Sequence, residues 1–200
     1  RLTAYQGFDA LFHSTEGYIA KTADPISDLF ALKAIGLIGR SLAKAVANGR
    51  DEEARADVAL ANTLSGMVES LSSCTSEHSL EHALSAFHPR LPHGAGLIMI
   101  SKAYYTHFAQ AHACEEKMIA MAKALGKSDA AAGMDFVGAL SALQAACGVD
   151  DLKMSDYGID SADFAKYADN ARQTMGALFE VDPAPLSRDD SIRILQNSYR

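Results

Sequence analysis

The chain has 200 residues, of which 48% are hydrophobic and 22% are charged, a composition typical of a globular protein with a sizeable core. Its formal net charge is −7 at pH 7, which argues against nucleic acid or an anionic membrane surface as the main partner. The longest apolar run, G-A-G-L-I-M-I, is too short to cross a bilayer.

The predicted secondary structure is helical almost throughout. Alanine, leucine, methionine, lysine and glutamate dominate, and β-branched runs are nearly absent, so we expect an all-α bundle without strands. In chain order, the predicted helices cover residues 8–20, 25–49, 51–72, 75–87, 94–112, 114–125, 129–147, 161–179 and 187–198. Asp24-Pro25 is a cap followed by a helix-starting proline, and Pro89 must end the fourth helix. Residues 148–158 and 182–185 are predicted loops.

The three cysteines, Cys74, Cys114 and Cys147, are odd in number, far apart and not arranged as C-x-x-C. This usage indicates buried thiols in a reducing compartment rather than a disulfide scaffold. No signal peptide is visible, so we expect a cytoplasmic protein. The chain begins at Arg1 without an initiator methionine, and we expect that a preceding region is missing.

Candidate metal ligands lie on the first predicted helix. Asp9 and His13 are four residues apart and therefore share one helical face, which Glu16 continues. A carboxylate and an imidazole at this spacing can hold one metal ion from a rigid element. The same pair is also common on helices that bind no metal.

Histidine is concentrated in a second segment, since four of the seven histidines lie between His78 and His93. His78 and His82 are four residues apart on one predicted helix, and His93 opens the next. Imidazole and carboxylate together suit divalent iron, zinc, cobalt or nickel rather than magnesium or calcium. Spacing alone does not show that this segment meets Asp9, so surface histidines beside Glu77 and Glu81 are the alternative.

Two motifs resemble a known family. Residues 7–18, G-F-D-A-L-F-H-S-T-E-G-Y, resemble the G-x-D-A-L-x-H-x-x-E-x-Y signature of the iron-containing (group III) alcohol dehydrogenases. Residues 78–96, H-S-L-E-H-A-L-S-A-F-H-P-R-L-P-H-G-A-G, resemble that family's H-x-x-x-H-P-L-G…P-H-G-x-x-N signature. The motifs occur in the family's order and the resemblance covers residues 3–100. The remaining helices resemble the family's C-terminal half only in general character.

The resemblance implies a ligand set and a reaction. Asp9, His13, His78 and His93 match the family's four ligands of Fe²⁺, for which Zn²⁺ is the alternative ion. His82 matches a histidine near the ion and the nicotinamide, where it is a proton-relay candidate. The reaction implied is alcohol + NAD(P)⁺ ⇌ aldehyde or ketone + NAD(P)H, with the ion as a Lewis acid on the oxygen of a small alcohol or aldehyde.

Other polar residues near the motifs match no family ligand. We expect His88 to line a loop or cleft, and His107 and His112 to be helix-surface or packing residues. Glu16 is expected to orient a neighbour rather than to catalyse. Cys74, four residues before His78, is expected to be a small buried thiol.

The chain departs from the family pattern near the second motif. Ala83-Leu84-Ser85 stands where the family usually has P-L-G, the loop to His93 is one residue longer, and Leu97 replaces the usual Asn. All four ligand positions survive these changes. Substrate preference and the relay role of His82 are the properties that they affect.

The family's dinucleotide-binding domain carries a G-G-G-S-type phosphate loop, and none occurs here, since Gly36 and Gly39 fall within a predicted helix. We therefore expect residues 1–200 to form a single all-helical metal-binding domain, the C-terminal half of a longer enzyme and inactive alone. The surface left bare towards the missing half should be apolar, which favours a homo-oligomer.

Three other functions are compatible with the sequence. One is a related zinc-dependent polyol dehydrogenase or dehydroquinate synthase type, which uses a different ligand set. Another is a non-catalytic helical interaction domain, in which Asp9 and His78 would lie far apart. The third is a metallohydrolase with Glu16 as its general base.

Overall fold

The computed structural model describes residues 1–200 and contains ten α-helices and no strand, which confirms the all-α prediction. The helices are α1 (Leu2–Ile19), α2 (Pro25–Ala47), α3 (Glu52–Leu71), α4 (Ser76–Phe87), α5 (His93–Gln110), α6 (Glu115–Ala124), α7 (Met134–Ala146), α8 (Phe164–Met175), α9 (Ala177–Glu180) and α10 (Arg188–Ser198). Two 3₁₀ turns, Met154–Tyr157 and Ser161–Asp163, precede α8. None of the helices combines the length and apolarity that a membrane crossing requires.

Side-chain caps define several helix starts. The Asp24 carboxylate accepts hydrogen bonds from the first backbone N–H groups of α2, and Ser27 completes a capping box. Asp51 caps α3 through the N–H of Ala54. Because caps and proline act locally, these starts lie within one residue of the predicted ones.

Three predicted boundaries are wrong. Helix α1 begins at Leu2 rather than at residue 8. Helix α7 begins at Met134 rather than at 129, because the Asp135 carboxylate accepts the N–H groups of Ala131 and Ala132 and holds them in a turn. Residues 161–179, predicted as one helix, instead form a 3₁₀ turn followed by α8 and α9, and Gly176 separates these two helices.

Helix α5 occupies the centre of the molecule and contacts α1, α4, α7 and α10. Its residues 94–101 are all buried. Aromatic rings continue this core, and the Tyr105 ring lies 4.9 Å from that of Phe136, edge to face. Each fully buried side chain of this size contributes roughly 1.5–3 kcal/mol. The rigid centre fixes the start of α5 against α1 and α4.

Glycine permits the close approach of α5 to α1. A Cβ atom at Gly94 would lie 2.3 Å from the carbonyl oxygen of Tyr5, a separation that no side chain tolerates. The residue before Gly94 is His93, so this contact brings the His93 ring towards α1. The glycine of the P-H-G motif thus has a packing role that positions a candidate ligand.

Candidate metal centre

The structure brings the four proposed ligands together around one oxygen atom. The Nε2 atoms of His13 and His93 each lie 3.4 Å from Asp9 Oδ1, and His78 Nε2 lies 3.5 Å from it. Asp9 Oδ1 and His78 Nε2 are both buried and neither has a hydrogen-bond partner. Three imidazole nitrogens therefore surround the Asp9 oxygen, and the donor atoms of Asp9, His78 and His93 all lie within 4.8 Å of one another.

These separations fit the ligand set of a divalent ion. Two donor atoms that each lie roughly 2.1 Å from one ion at a tetrahedral angle are about 3.4 Å apart. One carboxylate oxygen and three imidazole nitrogens also form a donor set that iron and zinc accept. Buried polar atoms without a hydrogen-bond partner need an explanation, and a bound metal ion would provide one for Asp9 Oδ1 and His78 Nε2.

The local electrostatics favour a cation. Burial would raise the pKa of Asp9, but the facing rings of His13, His78 and His93 outweigh it and hold that pKa well below its usual range. Burial would likewise lower the histidine pKa values, yet Asp9 raises the pKa of His13 to about 10, and Asp9 with Glu81 raises that of His93 to about 9. The raised histidine pKa values report the negative charge of the carboxylates around the centre, and the lowered pKa of Asp9 keeps it ionised, as a ligand of a divalent ion must be.

His78 is oriented by Glu16, which is fully buried in α1. One Glu16 oxygen binds His78 Nδ1 in a very short contact. The other accepts hydrogen bonds from the backbone N–H of Thr75 at 2.7 Å and from its hydroxyl at 2.8 Å. The Thr75 hydroxyl therefore does not cap α4. Because Nδ1 is engaged by a carboxylate, Nε2 is the nitrogen left to face Asp9.

His93 is oriented by Glu81, which the sequence analysis did not identify as a site residue. Glu81 is fully buried, and its two oxygens contact His93 Nδ1 and the Ser85 hydroxyl. Glu77, also on α4, is fully buried as well, so the alternative of surface residues is wrong for both glutamates and for His78. The available signal was the i, i+4 repeat of Glu-His in S-E-H-S-L-E-H.

His13 has a different partner on its outer side. Its Nδ1 lies 3.1 Å from Cys74 Sγ and 3.5 Å from Glu69 Oε2. Cys74 is buried, as expected, but it also contacts a proposed ligand. None of the three cysteines forms a disulfide.

A cavity of 720 Å³ opens beside the four donors. His82 is exposed on its wall, with its ring centroid 5.1 Å from that of His93, and its donor atom lies near those of Glu81 and His93. Burial, followed by the charge of His93, lowers the pKa of His82. Leu91, Met175 and Leu178 form an apolar part of the wall. The cavity therefore offers one imidazole and an apolar surface next to the centre.

The other three histidines lie elsewhere. His88 Nε2 is 2.8 Å from the Tyr167 hydroxyl, in the turn that follows α4. His107 packs edge to face on Phe108, and His112 is exposed beside Glu115. The structure does not bring any of them to the cavity.

Comparison with known proteins identifies relatives over almost the whole chain. The family model for the C-terminal part of the Fe-containing alcohol dehydrogenase family matches residues 3–199. The chain is 34% identical over 177 residues to 1,3-propanediol dehydrogenase of Citrobacter freundii, covering 85% of this chain and 44% of that protein. It is 44% identical over 93 residues to alcohol dehydrogenase 4 of Schizosaccharomyces pombe, covering 46% of this chain and 22% of that protein.

Solved structures of alcohol dehydrogenases contain the same fold. An archaeal halo-thermophilic Red Sea brine pool alcohol dehydrogenase superimposes with a TM-score of 0.92 at 29% identity, over 99% of this chain and 51% of that one. A 1,3-propanediol oxidoreductase superimposes with a TM-score of 0.90 at 28% identity, over 99% and 52%. The chain thus spans half the length of these structures, and less than half that of the curated relatives.

Proposed function

The chain belongs to the iron-containing alcohol dehydrogenase family, and from this premise we propose that it is the metal-binding half of an NAD(P)-dependent alcohol dehydrogenase. The observation that carries the proposal is the convergence of three imidazole nitrogens on the unpartnered Asp9 Oδ1, at 3.4–3.5 Å. We assign Asp9, His13, His78 and His93 as ligands of Fe²⁺, with Zn²⁺ as the alternative ion for the same donors. When bound, such an ion supplies Lewis acidity to an alcohol or carbonyl oxygen.

The protein residues around the centre have separate tasks. Glu16 and Glu81 hold the Nδ1 atoms of His78 and His93, which keeps both Nε2 atoms directed inward. His82 stands on the cavity wall outside the ligand set, where it can accept the alcohol proton and pass it to solvent. Leu91 and Met175 give the substrate carbon chain an apolar contact, so small alcohols and aldehydes are the proposed substrates.

We propose that His82, on the cavity wall, is the residue that would lie next to a bound nicotinamide. Hydride transfer is the chemistry of that cofactor, and the protein aligns it with the substrate carbon. A cytoplasmic location, a homo-oligomer and the single-domain organisation stay predictions.

The other candidate functions are less well supported. An interaction domain with incidental histidines predicts that Asp9 and His78 lie apart, whereas their facing atoms are 3.5 Å apart. A metallohydrolase would need Glu16 to reach a water in the cavity, yet Glu16 is fully buried and both of its oxygens have partners. A zinc-dependent polyol dehydrogenase with a different ligand set does not explain why three histidine nitrogens surround Asp9 Oδ1.

The test is metal analysis by mass spectrometry on protein purified without chelator. We expect about one equivalent of iron or zinc in the wild type, and loss of that ion in His93→Ala. His88→Ala is the matched control, because His88 lies in the same segment but bonds to Tyr167. Retention of the full metal content by His93→Ala would contradict the ligand assignment. So would the absence of metal both from this chain and from a longer protein that includes it.

A further inference from the structure

A thiol lies against the outer side of the metal centre. Cys74 belongs to the segment between α3 and α4, is 6% exposed and lines the cavity. Donor atoms of Cys74, His13 and His78 all lie within 4.8 Å of one another. Neither of the other cysteines has a histidine in such an arrangement.

His13 presents its two nitrogens to two different donor sets. Its Nε2 faces Asp9 at 3.4 Å, while its Nδ1 faces Cys74 Sγ at 3.1 Å. A nitrogen and a sulfur that bind one ion at roughly 2.0–2.1 Å and 2.3 Å lie about 3.1–3.6 Å apart for bond angles between square and tetrahedral values. The observed 3.1 Å lies at the short end of that range.

A second observation also indicates a ligand site. His78 is 3% exposed, and its Nε2 has no hydrogen-bond partner. Glu69 Oε2, 3.5 Å from His13 Nδ1 at the cavity rim, adds an oxygen donor on the same side. Sulfur, nitrogen and carboxylate donors together form a softer set than the one built on Asp9.

We propose that Cys74, His13 and His78 form a second ligand set that binds a thiophilic divalent ion such as Cd²⁺ or Zn²⁺. Binding forms a sulfur–metal bond, and the thiol proton passes to solvent without any change of oxidation state. Because Glu16 holds His78 Nδ1, both sets depend on the same His78 nitrogen, Nε2, and an ion in the thiolate set therefore excludes one in the Asp9 set. This inference goes beyond the proposed dehydrogenase function and does not depend on it.

The test is a Cd²⁺ titration of the metal-free chain, followed by the ultraviolet thiolate-to-metal charge-transfer band. We expect the band to saturate at one equivalent in the wild type and to be lost in Cys74→Ser. Cys114→Ser and Cys147→Ser are matched controls that keep the band. Asp9→Asn should also keep it, because Asp9 belongs only to the other set. Fe²⁺ added first, without oxygen, should weaken the Cd²⁺ response.

Several results would overturn the proposal. They are the absence of a band in the wild type, a band of equal intensity in Cys74→Ser, and loss of the band in Asp9→Asn. Circular dichroism verifies that each variant folds, and Cys74→Ala replaces Cys74→Ser if the serine variant does not. A chain that binds Cd²⁺ but not Fe²⁺ would support this set while contradicting the proposed function, so the two failures are distinguishable.

Discussion

Replacement of Glu81 tests whether the buried carboxylates tune the metal centre. Glu81 contacts His93 Nδ1 through one oxygen and the Ser85 hydroxyl through the other, and none of its side chain is exposed. In Glu81→Ala, His93 loses the partner that fixes its ring and its tautomer. In Glu81→Gln, the side chain keeps its shape but loses its negative charge.

The size of the effect follows from that contact. A hydrogen bond to a charged group contributes roughly 1.5–3 kcal/mol, and loss of such a partner of a metal-bound histidine weakens metal binding by about 10–100-fold. These ranges agree, since tenfold in affinity corresponds to about 1.4 kcal/mol. We therefore expect Glu81→Ala to bind the metal ion about 10–100-fold more weakly than the wild type does. Glu81→Gln should lose less, because the amide can still accept from Nδ1.

The assay is competition with a chromophoric chelator at fixed pH. Glu77→Gln is the matched control: Glu77 is a fully buried glutamate on the same helix, and its side-chain oxygens have no hydrogen-bond partner. Burial, reinforced by the charge of Glu16, raises its pKa well above the usual range, so the amide mimics its neutral form. Wild-type affinity in Glu81→Ala, or an equal loss in Glu77→Gln, would refute the reasoning.

Three further predictions concern packing, pH and proton transfer. Gly94→Ala should lower the unfolding free energy by roughly 1–3 kcal/mol, because its Cβ would lie 2.3 Å from a Tyr5 backbone atom. Thermal unfolding measures this loss of stability. Gly49→Ala is the control, because a Cβ at Gly49 would meet nothing within 4 Å. Burial, opposed by hydrogen bonds from Ser76 and Tyr104, raises the pKa of Asp182 to about 7. The folded state therefore holds a proton that the unfolded chain releases near pH ~3.9, and the unfolding free energy should fall as pH rises from about 4 to 7. Denaturant unfolding of Asp182→Asn should show a flatter profile over that window, and an unchanged profile would contradict the assignment. His82→Ala should keep its full metal content by mass spectrometry while slowing turnover in a dehydrogenase that contains this chain; loss of the ion would make His82 a ligand.

Much of this architecture could be predicted from local sequence alone. Helix periodicity, the Asp24-Pro25 start and the proline-bounded loop act within a few residues, so the helical class and most helix positions followed from them. The i, i+4 spacings of Asp9 with His13 and of His78 with His82 placed each pair on one face. The resemblance of the two motifs, rather than spacing, linked the two segments.

Only the tertiary structure decided which groups surround those ligands. Glu16 and Thr75 are 59 residues apart in sequence, and Cys74 and His13 are 61 apart, so no local pattern predicts their contacts. The burial of Glu81, and with it the orientation of His93, depends on how α5 packs against α4. Sequence-local forces determine which side chains share a helical face. The close packing of helices distant in sequence determines which of those side chains lose water and acquire partners, because burial is a property of the assembled core.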